Sequence, residues 1–120
     1  MSALQVLYME LRDFDTELLK HEKIFVEDRK YQLKLFEART SFQPRYYNDF
    51  KKYPSKNFPF FVLCYKYDKY ISLFKTKEDA EVFFSHVINK SEECTKQEFS
   101  KFISKNMFLN KQLRYKYGRF

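Results

Sequence analysis

Tyr65, Tyr67 and Tyr70 stand close together in this chain, with Lys66 and Lys69 between them. A tyrosine offers a π-face on which a base can stack and a hydroxyl that tolerates water. A lysine offers charge for a phosphate. Together they suit a single-stranded nucleic acid. The pattern extends upstream, since twelve of the thirty-three residues from Phe42 to Phe74 are aromatic and only Asp49 and Asp68 are acidic. The candidate stacking residues are therefore Tyr65, Tyr67 and Tyr70. The candidate phosphate contacts are Lys51, Lys52, Lys56 and Lys69, joined by Arg114, Lys116 and Arg119 near the C-terminus.

Charge supports the second set. The formal net charge is +7, but it is unevenly distributed. Residues 1–40 carry a net −1 and residues 76–99 a net −3, whereas residues 41–75 carry +5 and residues 100–120 carry +6. Two positive blocks that meet in space would form one field able to steer a polyanion. Two separate solvated lysine surfaces would give the same count.

Other chemistry has little support. The one glycine, Gly118, excludes a phosphate-cradling loop and a dinucleotide fingerprint, which need glycines for close backbone approach. His21 and His86 are isolated, as are Cys64 and Cys94, and none has metal-ligand or nucleophile–base spacing. Acidic groups such as Asp13, Asp15 and Glu17 read as solvated faces. No catalytic residue, metal or cofactor is expected, and the chain does not read as an enzyme.

The 120 residues suffice for one domain with its own core, and 44% of them are apolar. Two cysteines are too few for a disulfide scaffold, so a reducing cytoplasmic or nuclear setting is expected. Met1-Ser2-Ala3-Leu4 lacks a basic leader, and no apolar run approaches the ~20 residues of a membrane span. Lysine outnumbers arginine 17 to 6, and Phe and Tyr are abundant. This bias fits an AT-rich genome such as a viral or phage one.

The elements that must position these groups follow from periodicity. Leu4, Leu7, Leu11, Phe14 and Leu18 recur at spacings of three and four, which predicts an N-terminal helix capped by Ser2 and running to about Lys20. The stripe would pack on a sheet or serve a homodimer. Residues 23–37 admit helix or strand, and alternation at Tyr31, Leu33 and Leu35 favours a hairpin. Pro44 suits a short helix carrying Tyr46, Tyr47 and Phe50. Pro54 and Pro59 bracket a loop. Residues 60–74 read as a second hairpin. Thr76 and Thr95 cap two helices, with Thr95-x-x-Glu98 the better capping box, and Asn89-Lys90-Ser91 ends the first of them. Residues 111–120 read as a basic tail after a domain spanning residues 1–110.

With Asp68-Lys69 as the turn of the second hairpin, one face would carry Phe61, Leu63, Tyr65, Tyr67, Tyr70, Ser72 and Phe74. The other would carry Phe60, Val62, Cys64, Lys66, Ile71 and Leu73. The first is a ladder of rings and the second suits a helix layer. A loop of odd length would remove the ladder. A cover on both faces would hide it.

The expected fold is a single small α+β domain. It has an antiparallel sheet of about two hairpins, an N-terminal helix and two C-terminal helices. The expected function is non-enzymatic binding of nucleic acid, with single-stranded RNA or DNA favoured. The alternative is a protein–protein module, such as a small viral or phage accessory or inhibitor protein. It would dock an acidic partner or dimerise through the N-terminal stripe.

Overall fold

The computed structural model describes residues 16–38 and 57–109. Five strands form one antiparallel sheet in the order β1-β2-β3-β4-β5, so every neighbour in space is a neighbour in sequence. The strands are β1 (Thr16–Val26), β2 (Arg29–Ala38), β3 (Phe60–Tyr65), β4 (Lys69–Phe74) and β5 (Phe108–Leu109). Two helices, α1 (Lys77–Glu93) and α2 (Lys96–Asn106), lie between β4 and β5 in the chain.

The expected arrangement is overturned in its first element. A helix was expected to reach Lys20, but Thr16 to Lys20 begin β1 and pair with β2. The ladder from Val26–Arg29 to Thr16–Ala38 supplies backbone hydrogen bonds that outweigh the helical spacing of the leucines. An extra residue between Leu18 and Lys20 shifts the register. The half-buried Leu19 thereby packs against the core while Leu18 remains exposed. Residues 1–15, with Leu4, Leu7, Leu11 and Phe14, lie outside the described residues.

The hairpin expected at residues 23–37 forms, with Glu27 and Asp28 as a two-residue turn. Glu27 takes a φ of 55°, the left-handed value that hairpin turns of this length require. The second hairpin also forms, but with a different turn. Tyr65 faces Lys69 across a three-residue loop, Lys66 to Asp68, instead of Tyr67 facing Tyr70. The odd loop length moves every residue of β4 to the opposite face from the one expected. The tyrosine ladder is lost.

Both helices pack on one sheet face. α1 contributes Ala80, Phe84 and Val87 to the core, and α2 contributes Phe99 and Ile103. They meet Ile24, Val26, Leu33, Leu35, Val62 and Cys64 from the strands. Tyr31 packs on Phe99 with ring centroids 5.1 Å apart, and Phe74 on Phe83 at 5.3 Å. Thr76 accepts a hydrogen bond from the Asp79 backbone N–H to open α1. Thr95 and Glu98 form the full capping box of α2, at 3.2 and 2.9 Å. α1 continues through Asn89-Lys90-Ser91 to Glu93, because Ser91 faces the core and donates to the Ile88 carbonyl rather than breaking the turn. Ser72 Oγ donates to the Asn106 carbonyl at 3.0 Å. That bond holds the end of α2 at β4, and the chain then adds β5 beside Tyr70 and Ile71.

The opposite face of the sheet is divided along the strands. At the end nearer Ala38 it carries Phe36, Phe61, Leu63, Ile71 and Leu73. Of these, Phe61, Leu63 and Ile71 are buried although both described helices lie on the other side. Phe36 and Phe61 stack with centroids 5.1 Å apart. At the end nearer the hairpin turns, the same face is basic. Among the described residues no helix is long and apolar enough to cross a membrane.

Candidate functional site

The basic half of the face opposite the helices arises from strand alternation. Tyr31, Leu33 and Leu35 point to the helices, so Lys30, Gln32 and Lys34 must point away. Their partners on β1 are Phe25, Lys23 and His21, which share that face. The acids of the same two strands take the other pleat, since Glu22 pairs with Leu33 and Glu37 with Phe60. One alternation thus keeps the carboxylates of β1 and β2 off this face, while Lys20 and Arg29 share the helix side with them.

A shallow concavity of about 470 Å³ lies on this surface. Lys23, Lys30, Lys34, Lys66, His21 and Tyr65 line it with Gln32, and no carboxylate does. His21 Nε2 donates to Gln32 Oε1 at 2.6 Å, which fixes the ring against the strand. Lys34 Nζ lies 5.5 Å from the Tyr65 ring centroid. Lys69 Nζ lies 3.0 Å from the same centroid, and its side chain is fully buried. Burial pushes the Lys69 pKa down to about 6, and repulsion from Lys34 adds to the effect. Lys69 is therefore a packed group beneath Tyr65 rather than a solvent-facing phosphate contact.

A second depression, of about 530 Å³, opens where both hairpin ends meet α2. Tyr31, Tyr67 and Tyr70 form its rings. Tyr67 is 76% exposed, while Tyr31 and Tyr70 are half-buried against the core. Arg29, Lys66 and Lys96 bring positive charge, and Asp28 and Asp68 bring negative charge. Lys96 Nζ is 3.0 Å from Asp28 Oδ1 and 3.8 Å from Glu27 Oε2. The hydrogen bond from Lys96 holds the Asp28 carboxyl below its usual pKa. Lys66 lines both depressions, and its Nζ sits 5.0 Å over the Tyr67 ring.

The expected stacking set is thus divided. Tyr65 lies on the face opposite the helices, Tyr67 at the loop tip and Tyr70 on the helix face beside it. Of the expected phosphate contacts, Lys69 is buried, and Lys51, Lys52, Lys56, Arg114, Lys116 and Arg119 lie outside the described residues. Lys23, Lys30, Lys34 and Lys66 were not anticipated as contacts. Lys30-x-Gln32-x-Lys34 was a readable signal for two of them, but the net charge of residues 1–40 averages it against acids on the opposite pleat.

Burial pushes the Cys64 thiol up to about 12, which keeps it protonated. His86 packs edge-on against Phe102 with centroids 5.2 Å apart. No group of three or more metal-ligating side chains occurs among the described residues.

No family model, curated protein or solved structure matches the chain.

Proposed function

We propose that this protein is a non-enzymatic nucleic-acid-binding protein that favours single strands. One observation carries the reading: four lysines and a histidine converge on the sheet face opposite the two described helices without a carboxylate among them. A cluster of like charge destabilises the free protein by self-repulsion and favours a bound polyanion. Tyr65 within the cluster and the exposed Tyr67 at its margin supply rings beside the charges. A single strand presents unstacked bases to such rings, whereas a duplex hides them.

Fluorescence anisotropy with a labelled short oligo(dT) tests this, with a duplex of equal length and poly-glutamate as competitors. The expected result is binding that weakens steeply with salt and is displaced less well by either competitor than by unlabelled oligo(dT). No binding at low salt, or binding indifferent to salt, overturns the proposal. Displacement by poly-glutamate as effective as by oligo(dT) reassigns the face to an acidic protein partner.

A further inference from the structure

The depression at the hairpin ends differs from the lysine concavity in having both signs of charge. Asp28 comes from the β1–β2 turn and Asp68 from the β3–β4 loop, and Arg29, Lys66 and Lys96 are interspersed. A phosphate-only surface would gain nothing from two carboxylates. A nucleobase edge, in contrast, carries donors and acceptors side by side. Exocyclic amines donate to carboxylates, and ring nitrogens and carbonyls accept from Arg or Lys. The exposed ring of Tyr67 stands at this site, with Lys66 over it. About 530 Å³ is ample for one base and its sugar.

We propose that this depression is a base subsite selective for an amino-bearing base, cytosine or guanine, over thymine or uracil. The inference rests on the nucleic-acid reading above and deepens it. The base stacks on Tyr67, and Asp28 and Asp68 accept from its amino group. Arg29 or Lys96 donates to the carbonyl across the intervening ring nitrogen, a group that adenine lacks. Lys66, shared by both depressions, passes the backbone to Lys34, Lys30 and Lys23 in the lysine concavity. Thymine and uracil place a carbonyl where cytosine has its amine, so the same carboxylates repel them.

The test compares oligo(dC), oligo(dT) and an abasic oligomer of equal length at neutral pH, against wild type, Tyr67→Ala and the double variant Asp28→Asn/Asp68→Asn. Asp28 and Tyr67 are exposed and Asp68 is half-buried, so thermal melting checks that each variant folds. The expected order of affinity is oligo(dC), then oligo(dT), then abasic, with about tenfold between the first two. Asp28→Asn/Asp68→Asn removes that preference and leaves oligo(dT) binding no weaker. Tyr67→Ala lowers oligo(dC) about tenfold, toward the abasic level. Equal binding of oligo(dC) and oligo(dT), unchanged by either variant, overturns the subsite while leaving the basic face in place. Failure of all three oligomers to bind at low salt overturns both.

Discussion

The lysine face makes a quantitative prediction about salt. Lys30 and Lys34 are four residues apart on one strand and one face, a separation of about 14 Å. Lys23 lies across from Gln32, between them on the neighbouring strand. That spacing lets the lysines meet successive phosphates of an extended strand. One phosphate per lysine, for Lys23, Lys30, Lys34 and Lys66, gives a log–log salt slope of about −3 from this face for single strands. Affinity should then fall about fiftyfold between about 50 and about 200 mM salt. Lys23→Ala/Lys34→Ala removes two contacts and should reduce the slope by about 1.4. Lys77→Ala/Lys101→Ala is the control, because both lysines are exposed on the helices and away from the face. Anisotropy titrations at four salt concentrations measure the slopes. An unchanged slope in the first variant, or an equal change in the control, refutes the assignment of the phosphate path to the sheet.

Three further expectations concern stability. Lys69 has a folded-state pKa near 6 against an ordinary 10.5, so between those values the unfolded chain binds a proton that the folded chain does not. Urea-melt stability should therefore rise between about pH 7 and about pH 8.5, by at most about 1.4 kcal/mol per unit, and Lys69→Met should remove that rise. Above pH 9 the raised Cys64 pKa acts in the opposite sense, because only the unfolded thiol ionises there. Thr95→Ala removes the Oγ1 that accepts from the Glu98 backbone N–H, while the residue-95 backbone N–H can still donate to Glu98, and should cost about 1 kcal/mol, read as a lower denaturation midpoint. Glu27→Gly relieves a left-handed φ and should add up to about 1 kcal/mol of stability, less any contribution of the long Lys96 contact, read as a higher midpoint. A lowered midpoint would show that the turn is not strained.

Much of the layout was readable from local pattern. Alternation at Tyr31, Leu33 and Leu35 marked β2, and Thr95-x-x-Glu98 marked the start of α2, because such signals act within a few residues. The N-terminal stripe misled at Leu18, where spacing of three and four argued helix. Pairing with a distant strand, and one extra residue at Leu19, decided for β1 instead. The aromatic stretch misled in a subtler way. Its strands were legible, but the parity of the loop at Lys66 to Asp68 was not, and parity alone determines which rings share a face.

The sequence by itself determined that the protein is basic, rich in tyrosine and phenylalanine, lacking phosphate-loop glycines, and built from hairpins and two capped helices. These properties follow from composition and short-range periodicity. Only the tertiary structure decided which charges act together. Pairing β1 with β2 gathers Lys23, Lys30 and Lys34 on one pleat and leaves Glu22 and Glu37 on the other. The β3–β4 loop brings Lys66 to the same surface, and docking of α2 sets Lys96 against Asp28 beside Tyr67. Those neighbours are far apart in the chain, and they are set by register and helix packing, which no local window records.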